Sequence, residues 1–95
     1  MTFVATAYCK HGRTASGAHS SDGIVAADPD VLPIGTRIRL SGLKRGRDGV
    51  YRVMDTGTRV KGRRLDVFLA NCAEAKRFGK QHVRVAIVRS GRPRA

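Results

Sequence analysis

Six short runs of alternating or β-branched residues, each bounded by glycine, proline or polar clusters, limit what this chain can fold into. Residues in such runs prefer the pleated, half-buried surface of a sheet, and the punctuation marks turns. Six short strands in so few residues favour a small closed barrel, because closure removes exposed strand edges. The predicted strands are Thr2–Tyr8, Gly23–Ala26, Thr36–Ser41, Gly49–Met54, Leu65–Leu69 and Val83–Arg89.

One short helix is predicted over Ala73–Phe78. Asn71 is a suitable N-cap, Glu74 follows three residues later as in a capping box, and Gly79 can end the helix. We expect residues 1–95 to form a single domain, with a basic tail from about residue 90. The predicted fold class is therefore mainly β, a six-stranded barrel with one short helix.

The chain is strongly basic, with 19 Lys and Arg against 7 Asp and Glu and a formal net charge of +12. Many of the basic residues alternate with apolar ones, as at Arg37–Leu40 and Val83–Val85, which is typical of the solvated faces of strands. We interpret this surface as one that aids association with an acidic polymer such as bacterial cell wall. Specific nucleic-acid recognition is a weaker interpretation, because no helix-turn-helix, zinc-finger spacing or aromatic stacking motif is present.

No apolar run is long enough to cross a membrane, and the sequence contains no recognisable export signal. Cys9 and Cys72 are the only cysteines, and the three histidines share no metal-binding spacing, so we expect no metal and no cofactor. The two cysteines either form a disulfide, which requires an oxidising compartment, or remain buried thiols.

The most informative segment for function is residues 55–66, Asp-Thr-Gly-Thr-Arg-Val-Lys-Gly-Arg-Arg-Leu-Asp. Asp55 ends one apolar run and Asp66 begins another, so the residues between them form a loop joining two strands. Such a loop can bring its two carboxylates toward one place. Paired carboxylates whose pKa values differ are the usual means of acid–base chemistry on glycosidic bonds.

Further motifs precede this segment in a recognisable order. They are Tyr8-Cys9, the glycine-flanked segment 12–17, the Ala-Asp-Pro segment around Asp28, and the Leu-Pro-Ile-Gly-Thr segment 32–36. Together with the Asp-Thr-Gly…Lys-Gly…Asp pattern, this order resembles the three-aspartate (3D) domain of small bacterial cell-wall proteins and of the membrane-bound lytic transglycosylase A family. The resemblance covers about residues 5–88, and its three aspartates fall on Asp28, Asp55 and Asp66.

The resemblance implies a double-psi β-barrel that acts on peptidoglycan. The implied reaction is non-hydrolytic cleavage between N-acetylmuramic acid and N-acetylglucosamine, leaving a 1,6-anhydro product. Asp66 matches the residue taken as catalytic acid and base, and Asp55 would support it, or would instead form an Asx-turn in Asp-Thr-Gly. The residues expected to bind substrate are Thr14, Asp28, Lys61 and Gly57; for Asp28 the alternative is a turn-forming role.

The chain departs from the family pattern at residues 57–62, which read Gly-Thr-Arg-Val-Lys-Gly where many members have Gly-Gly-Ala-Ile-Lys-Gly. These bulkier and more basic residues could narrow the groove. The alternative function is a non-catalytic glycan-binding barrel, since double-psi barrels also occur in expansin-like wall-loosening proteins. In either case we expect a monomeric, extracytoplasmic protein that contacts glycan strands of peptidoglycan. Tyr8 and Tyr51 are expected to pack at the barrel surface.

Overall fold

The structure, a computed structural model, describes residues 1–10, 23–57 and 59–91. The strands are β1 (Thr2–Tyr8), β2 (Ile24–Ala27), β3 (Arg37–Ser41), β4 (Gly49–Asp55), β5 (Arg64–Phe68) and β6 (Gln81–Arg89), and the helix α1 (Cys72–Phe78) lies between β5 and β6. The predicted mainly-β barrel with one short helix is confirmed. Boundaries shift by one or two residues, most at β6, which begins at Gln81 instead of Val83.

The six strands close into a barrel in the order β1-β5-β2-β4-β3-β6. β1 pairs parallel with β5, and β2 pairs parallel with β4, whereas the other four pairings are antiparallel. Neighbours in the barrel are therefore mostly distant in sequence. Because every strand has two partners, the barrel leaves no open edge.

The core lies inside the barrel and is filled by one alternate set of residues from each strand. On β2 this set is Val25 and Ala27, so Ile24 and Ala26 face outward although both are also buried. Leu32, from the turn after β2, is fully buried and packs into the same core. The core contains Phe3, Ala5, Val25, Ala27, Leu32, Ile38, Leu40, Leu43, Val53, Leu65, Val67, Leu69, Phe78, Val83 and Val85.

The helix has the predicted cap. The Glu74 amide donates to Asn71 Oδ1 at 3.0 Å, and Gly79 ends the helix at φ 60°. The helix buries Phe78 against the barrel core. No helix in the described part of the chain is long and apolar enough to cross a membrane.

Beyond the end of β6 the chain still contacts the barrel at Gly91. The Gly91 amide donates to Thr36 Oγ1 at 2.8 Å, so the chain remains attached to the turn before β3 through Gly91. A Cβ at Gly91 would collide with the carbonyl oxygen of Ile34, and glycine is therefore the residue that this close approach allows. Residues 92–95 lie outside the described part.

Candidate active site

Two carboxylates flank a single residue of the barrel. Ala26 on β2 is in register with Asp55 on β4 and with Asp66 on β5. Asp66 is in turn the register partner of Thr6 on β1. Asp55, Ala26, Asp66 and Thr6 therefore form one row across four adjacent strands, which we call the carboxylate row. Since neighbouring strands lie about 4.8 Å apart, the two aspartate backbones are separated by about 10 Å.

A β-bulge aligns Asp55 with this row. Val25 pairs with Val53, but the next residue of β2, Ala26, pairs with Asp55, so Met54 is an extra residue in β4. In a regular ladder Met54 would stand opposite Ala26. The bulge therefore brings a carboxylate to a position that a thioether would otherwise take.

Asp66 is half-buried and is held by Thr6. The Thr6 hydroxyl donates to Asp66 Oδ1 at 3.1 Å, and it also lies 3.4 Å from the carbonyl oxygen of Leu65. Burial raises the pKa of Asp66 above its ordinary value of 3.8, and the negative charge of Asp55 adds to the rise. The hydrogen bond from Thr6 and the charge of Arg64 act in the opposite direction and are outweighed.

Asp55 is the last residue of β4. Its Oδ1 accepts a hydrogen bond of 2.9 Å from the Thr56 amide, as expected if Asp55 shapes the turn that follows. The charge of Asp55 also acts on Asp66 and on Tyr8. Turn formation and an electrostatic role in the site are therefore compatible at this residue.

Tyr8 packs at the barrel surface as predicted, and it also lies near Asp55 and Asp66, which was not predicted from the sequence. It follows Thr6 by two residues on β1, and its ring meets that of Phe68 edge-on with centroids 5.5 Å apart. Its hydroxyl is buried and has no hydrogen-bond partner among the described residues. Burial, followed by the charges of Asp55 and Asp66, raises the pKa of Tyr8 to about 12. The Thr6-x-Tyr8 alternation on a strand was the available signal for both residues.

Asp28 is hydrogen-bonded to the loop that joins Asp55 to Asp66. Its Oδ2 accepts from the Gly62 amide at 2.8 Å and its Oδ1 from the Asp30 amide at 3.0 Å. These two backbone hydrogen bonds hold the pKa of Asp28 below its usual value. Gly62 has φ +65°, a conformation that favours glycine. The geometry matches the turn-forming alternative for Asp28.

The other predicted substrate-binding residues lie on or beyond the same loop. Lys61 is exposed beside Gly62, with its charge near Asp28. A Cβ at Gly57 would stand 2.8 Å from Val60 Cγ2, so the turn is tight there. Thr14 lies outside the described residues.

A disulfide joins Cys9, directly after Tyr8, to Cys72 at the start of α1. The Cα atoms are 5.1 Å apart, within the roughly 7 Å that such a bond requires. The bond joins residues 63 positions apart in the sequence. In the chain-entropy description, closing a loop of this length stabilises the folded state by about 4 kcal/mol. It fixes the end of β1, which carries Thr6 and Tyr8. No cluster of three or more metal-ligating side chains occurs within residues 1–10, 23–57 and 59–91.

Two curated relatives match across most of this chain. It is 30% identical over 97 residues to the cell wall-binding protein YocH of Bacillus subtilis, covering 93% of this chain and 32% of YocH. It is 40% identical over 70 residues to RlpA of Aquifex aeolicus, named a probable endolytic peptidoglycan transglycosylase, covering 73% of this chain and 30% of RlpA. The chain thus spans about a third of the length of these relatives.

The barrel also matches solved structures. The lytic transglycosylase MltA of E. coli, in its crystal structure with bound chitohexaose, superposes with a TM-score of 0.69 at 18% identity, over 85% of this chain and 28% of MltA. This likeness establishes a shared fold, the double-psi β-barrel expected from the sequence. The sequence profile of the 3D domain family matches residues 23–89, which is most of the chain. This chain belongs to the 3D domain family.

Proposed function

We propose that this protein is a lytic transglycosylase-like enzyme of peptidoglycan. It would cleave the β-1,4 bond between N-acetylmuramic acid and N-acetylglucosamine and form 1,6-anhydro-N-acetylmuramic acid. The observation that carries the proposal is the half-buried Asp66, whose pKa is raised by burial. A raised pKa suits a carboxyl that must donate a proton near neutral pH.

In the proposed mechanism Asp66 acts first as acid and then as base. Because Thr6 donates to Oδ1, the proton is expected on Oδ2, from which it passes to the leaving glycosidic oxygen. The resulting carboxylate then takes the proton of the muramoyl 6-hydroxyl as that oxygen bonds to C1. The proton is thus returned to Asp66 and no water is consumed. A second carboxylate nucleophile, as used by retaining hydrolases, is not required.

The neighbours of Asp66 have supporting roles in this proposal. Asp55 stabilises the positive charge that develops at C1 and raises the proton affinity of Asp66. The Tyr8 hydroxyl is protonated throughout the physiological range and would donate to a sugar oxygen after a movement that uncovers it. Asp28 acts through Gly62 by holding the loop.

Thr14, Lys61 and Gly57 keep their predicted roles as sugar-binding positions. Lys61 would pair with a substrate carboxylate, and Gly57 would contact sugar through the backbone of the turn that packs against Val60.

The test is product analysis. Purified sacculi are incubated with the protein, and the released material is analysed by mass spectrometry for 1,6-anhydro-muropeptides. We expect these products from the native protein and none from Asp66→Asn. Asp30→Asn, which removes an exposed carboxylate outside the row, is the matched control and should retain activity. Equal product from Asp66→Asn and the native protein would refute the assigned role.

A second candidate function is glycan binding without cleavage. The name of YocH, a cell wall-binding protein, supports it, as does the basic loop sequence at residues 59–64. In that case the protein would sediment with sacculi and release no anhydro products. Binding would then survive Asp66→Asn, while turnover would be absent from every variant.

We also propose an extracytoplasmic location. The Cys9–Cys72 disulfide fits an oxidising compartment, and the cell-wall names of the relatives agree with it.

A further inference from the structure

Five exposed arginines share the outer surface of β3, β4 and β6, and three of them form a row across these strands. Arg37 on β3 is the register partner of Arg52 on β4 and of Arg89 on β6. Arg39 follows Arg37 on the same side of β3, and Arg84 on β6 pairs with Ser41 at the end of β3. All five arginines are exposed. We call this surface the arginine face.

Repulsion among these arginines lowers the stability of the folded protein unless a bound anion offsets it. Residues directly opposite in an antiparallel pair have Cβ atoms about 5 Å apart, so the charges of Arg37 and Arg52 repel one another. The side chains of these five arginines make no hydrogen bond or ion pair with any residue that the structure describes. The ion pair found there joins Arg47 to Glu74 at 3.1 Å, away from this face. An external anion would neutralise the charge of these arginines.

The use of arginine in place of lysine indicates which kind of anion this face binds. The arginine face contains no lysine; the five lysines of the chain, Lys10, Lys44, Lys61, Lys76 and Lys80, lie elsewhere. A guanidinium presents a planar fork of donors that matches phosphate oxygens in a bidentate manner, which an ammonium cannot do. Residues on the same side of a strand recur about every 6.6–7 Å, and neighbouring strands lie about 4.8 Å apart, a spacing suited to a chain of closely placed anions.

The face lacks a platform for nucleobases. Tyr51 is the only Phe, Tyr or Trp on β3, β4 and β6. Its ring packs against the core, and its hydroxyl donates to the carbonyl oxygen of Arg47 at 2.6 Å. Binding of single-stranded nucleic acid normally uses exposed aromatic rings on which bases stack. The exposed apolar residues of these strands are instead aliphatic, Val50, Ile87 and Val88.

The face also adjoins the carboxylate row. Arg52 and Asp55 both belong to β4, and Arg52 pairs with Ile24 of β2. An open depression of about 400 Å³, lined by Gly23, Arg37, Val50 and Arg52, lies at this junction. A polymer bound to the arginine face would therefore keep the carboxylate row close to the cell surface that carries the polymer.

We propose that the arginine face binds a flexible anionic polymer of the polyol phosphate type, in which phosphodiesters link short alcohols without bases. This binding does not depend on cleavage at Asp66. This binding would hold the barrel on cell surfaces that carry phosphate polymers. The proposed site at Asp66 would then act on the neighbouring glycan strands.

The probe is purified poly(glycerol phosphate), titrated against the protein by fluorescence anisotropy between 50 and 200 mM NaCl. With five phosphate contacts the salt slope is about −3.5, so the affinity should fall about 100-fold over this range. In the variant Arg37→Gln/Arg39→Gln, which has two fewer phosphate contacts, the slope should be about −2. The affinity should then fall only about 20-fold over the same range of salt. Lys76→Gln/Lys80→Gln removes the same charge from exposed positions outside the face and should keep the native slope.

Poly-L-glutamate and single-stranded DNA, matched in total charge, are the competing ligands. We expect both to bind at least 10-fold more weakly than poly(glycerol phosphate). Equal binding of polyglutamate would overturn the phosphate assignment, and tighter binding of DNA would make nucleic acid the partner instead. Equal losses in the arginine and lysine variants would mean that net charge alone drives binding, which would overturn the site. Sacculus cleavage is measured in parallel, and its absence leaves the outcome of this titration unaffected.

Discussion

The hydroxyl of Thr6 donates a 3.1 Å hydrogen bond to Oδ1 of Asp66, although the two residues are 60 positions apart in the sequence. The parallel pairing of β1 with β5 creates this contact. It sets the orientation of the proposed acid and moderates the rise in its pKa.

Replacing Thr6 with Val removes the hydroxyl and keeps the β-branched shape. The pKa of Asp66 should rise further, because the hydrogen bond from Thr6 lowers it. The alkaline limb of the pH–rate profile should therefore move to higher pH. Loss of an orienting bond worth about 1 kcal/mol should slow cleavage about fivefold. Thr6→Ser restores the hydroxyl and should recover the native profile; an unchanged profile in Thr6→Val would show that the bond does not tune Asp66.

Asp66→Asn should stabilise the protein at neutral pH. The folded state binds the Asp66 proton more tightly than the unfolded chain does, so stability falls as pH rises from about 3.8 through the folded-state pKa. Asparagine carries no charge and avoids this loss, while its Oδ1 still accepts from Thr6. Thermal melts should show the variant above the native protein at pH 7 and equal to it at pH 3. A lower melting temperature for the variant at pH 7 would contradict the buried-carboxyl account.

Asp55→Asn should reduce cleavage about 100-fold, the size expected when a residue that supports acid–base chemistry is removed. The charge of Asp55 raises the pKa of Asp66, so its loss should move the alkaline limb of the pH–rate profile to lower pH. Asparagine can still accept from the Thr56 amide and should preserve the turn. If rate and profile both stay native, Asp55 is only a turn former.

Tyr8→Phe should leave stability unchanged or higher at neutral pH, because it removes a buried hydroxyl without a partner among the described residues. Cleavage should fall about 10-fold if that hydroxyl donates to the sugar. Above pH 10 the native protein should lose stability relative to the variant, since folding raises the pKa of Tyr8 to about 12.

The matched control is Tyr51→Phe. It breaks a 2.6 Å bond to the Arg47 carbonyl and should cost about 1 kcal/mol with native cleavage. A similar loss of cleavage in both variants would mean that Tyr8 acts through packing.

Reduction of the Cys9–Cys72 disulfide should lower the free energy of unfolding by about 4 kcal/mol, measured by urea denaturation with and without reductant. Cys9→Ser/Cys72→Ser should match the reduced protein and should not respond to reductant. Two free thiols in protein unfolded after air oxidation would contradict the bond.

The elements of this fold could be predicted from the sequence because their causes are local. Alternating β-branched residues, glycine and proline punctuation, and the Asn71 cap act within a few residues, and all six strands and the helix occur where they were expected. The segment from Asp55 to Asp66 could be identified in the same way, as a loop between two apolar runs. Alternation also predicted that residues such as Arg37 and Arg39 would be exposed.

The pairing of those elements was decided only by the tertiary structure. Parallel pairing of β1 with β5 brings Thr6 and Tyr8 to the site, and the bulge at Met54 places Asp55 opposite Ala26. Register likewise brings dispersed arginines together on one face, and long-range hydrogen bonds tie Asp28 to Gly62 and Gly91 to Thr36. Strand partners depend on how the whole chain closes its core, whereas a sequence window carries only the preferences of its own residues.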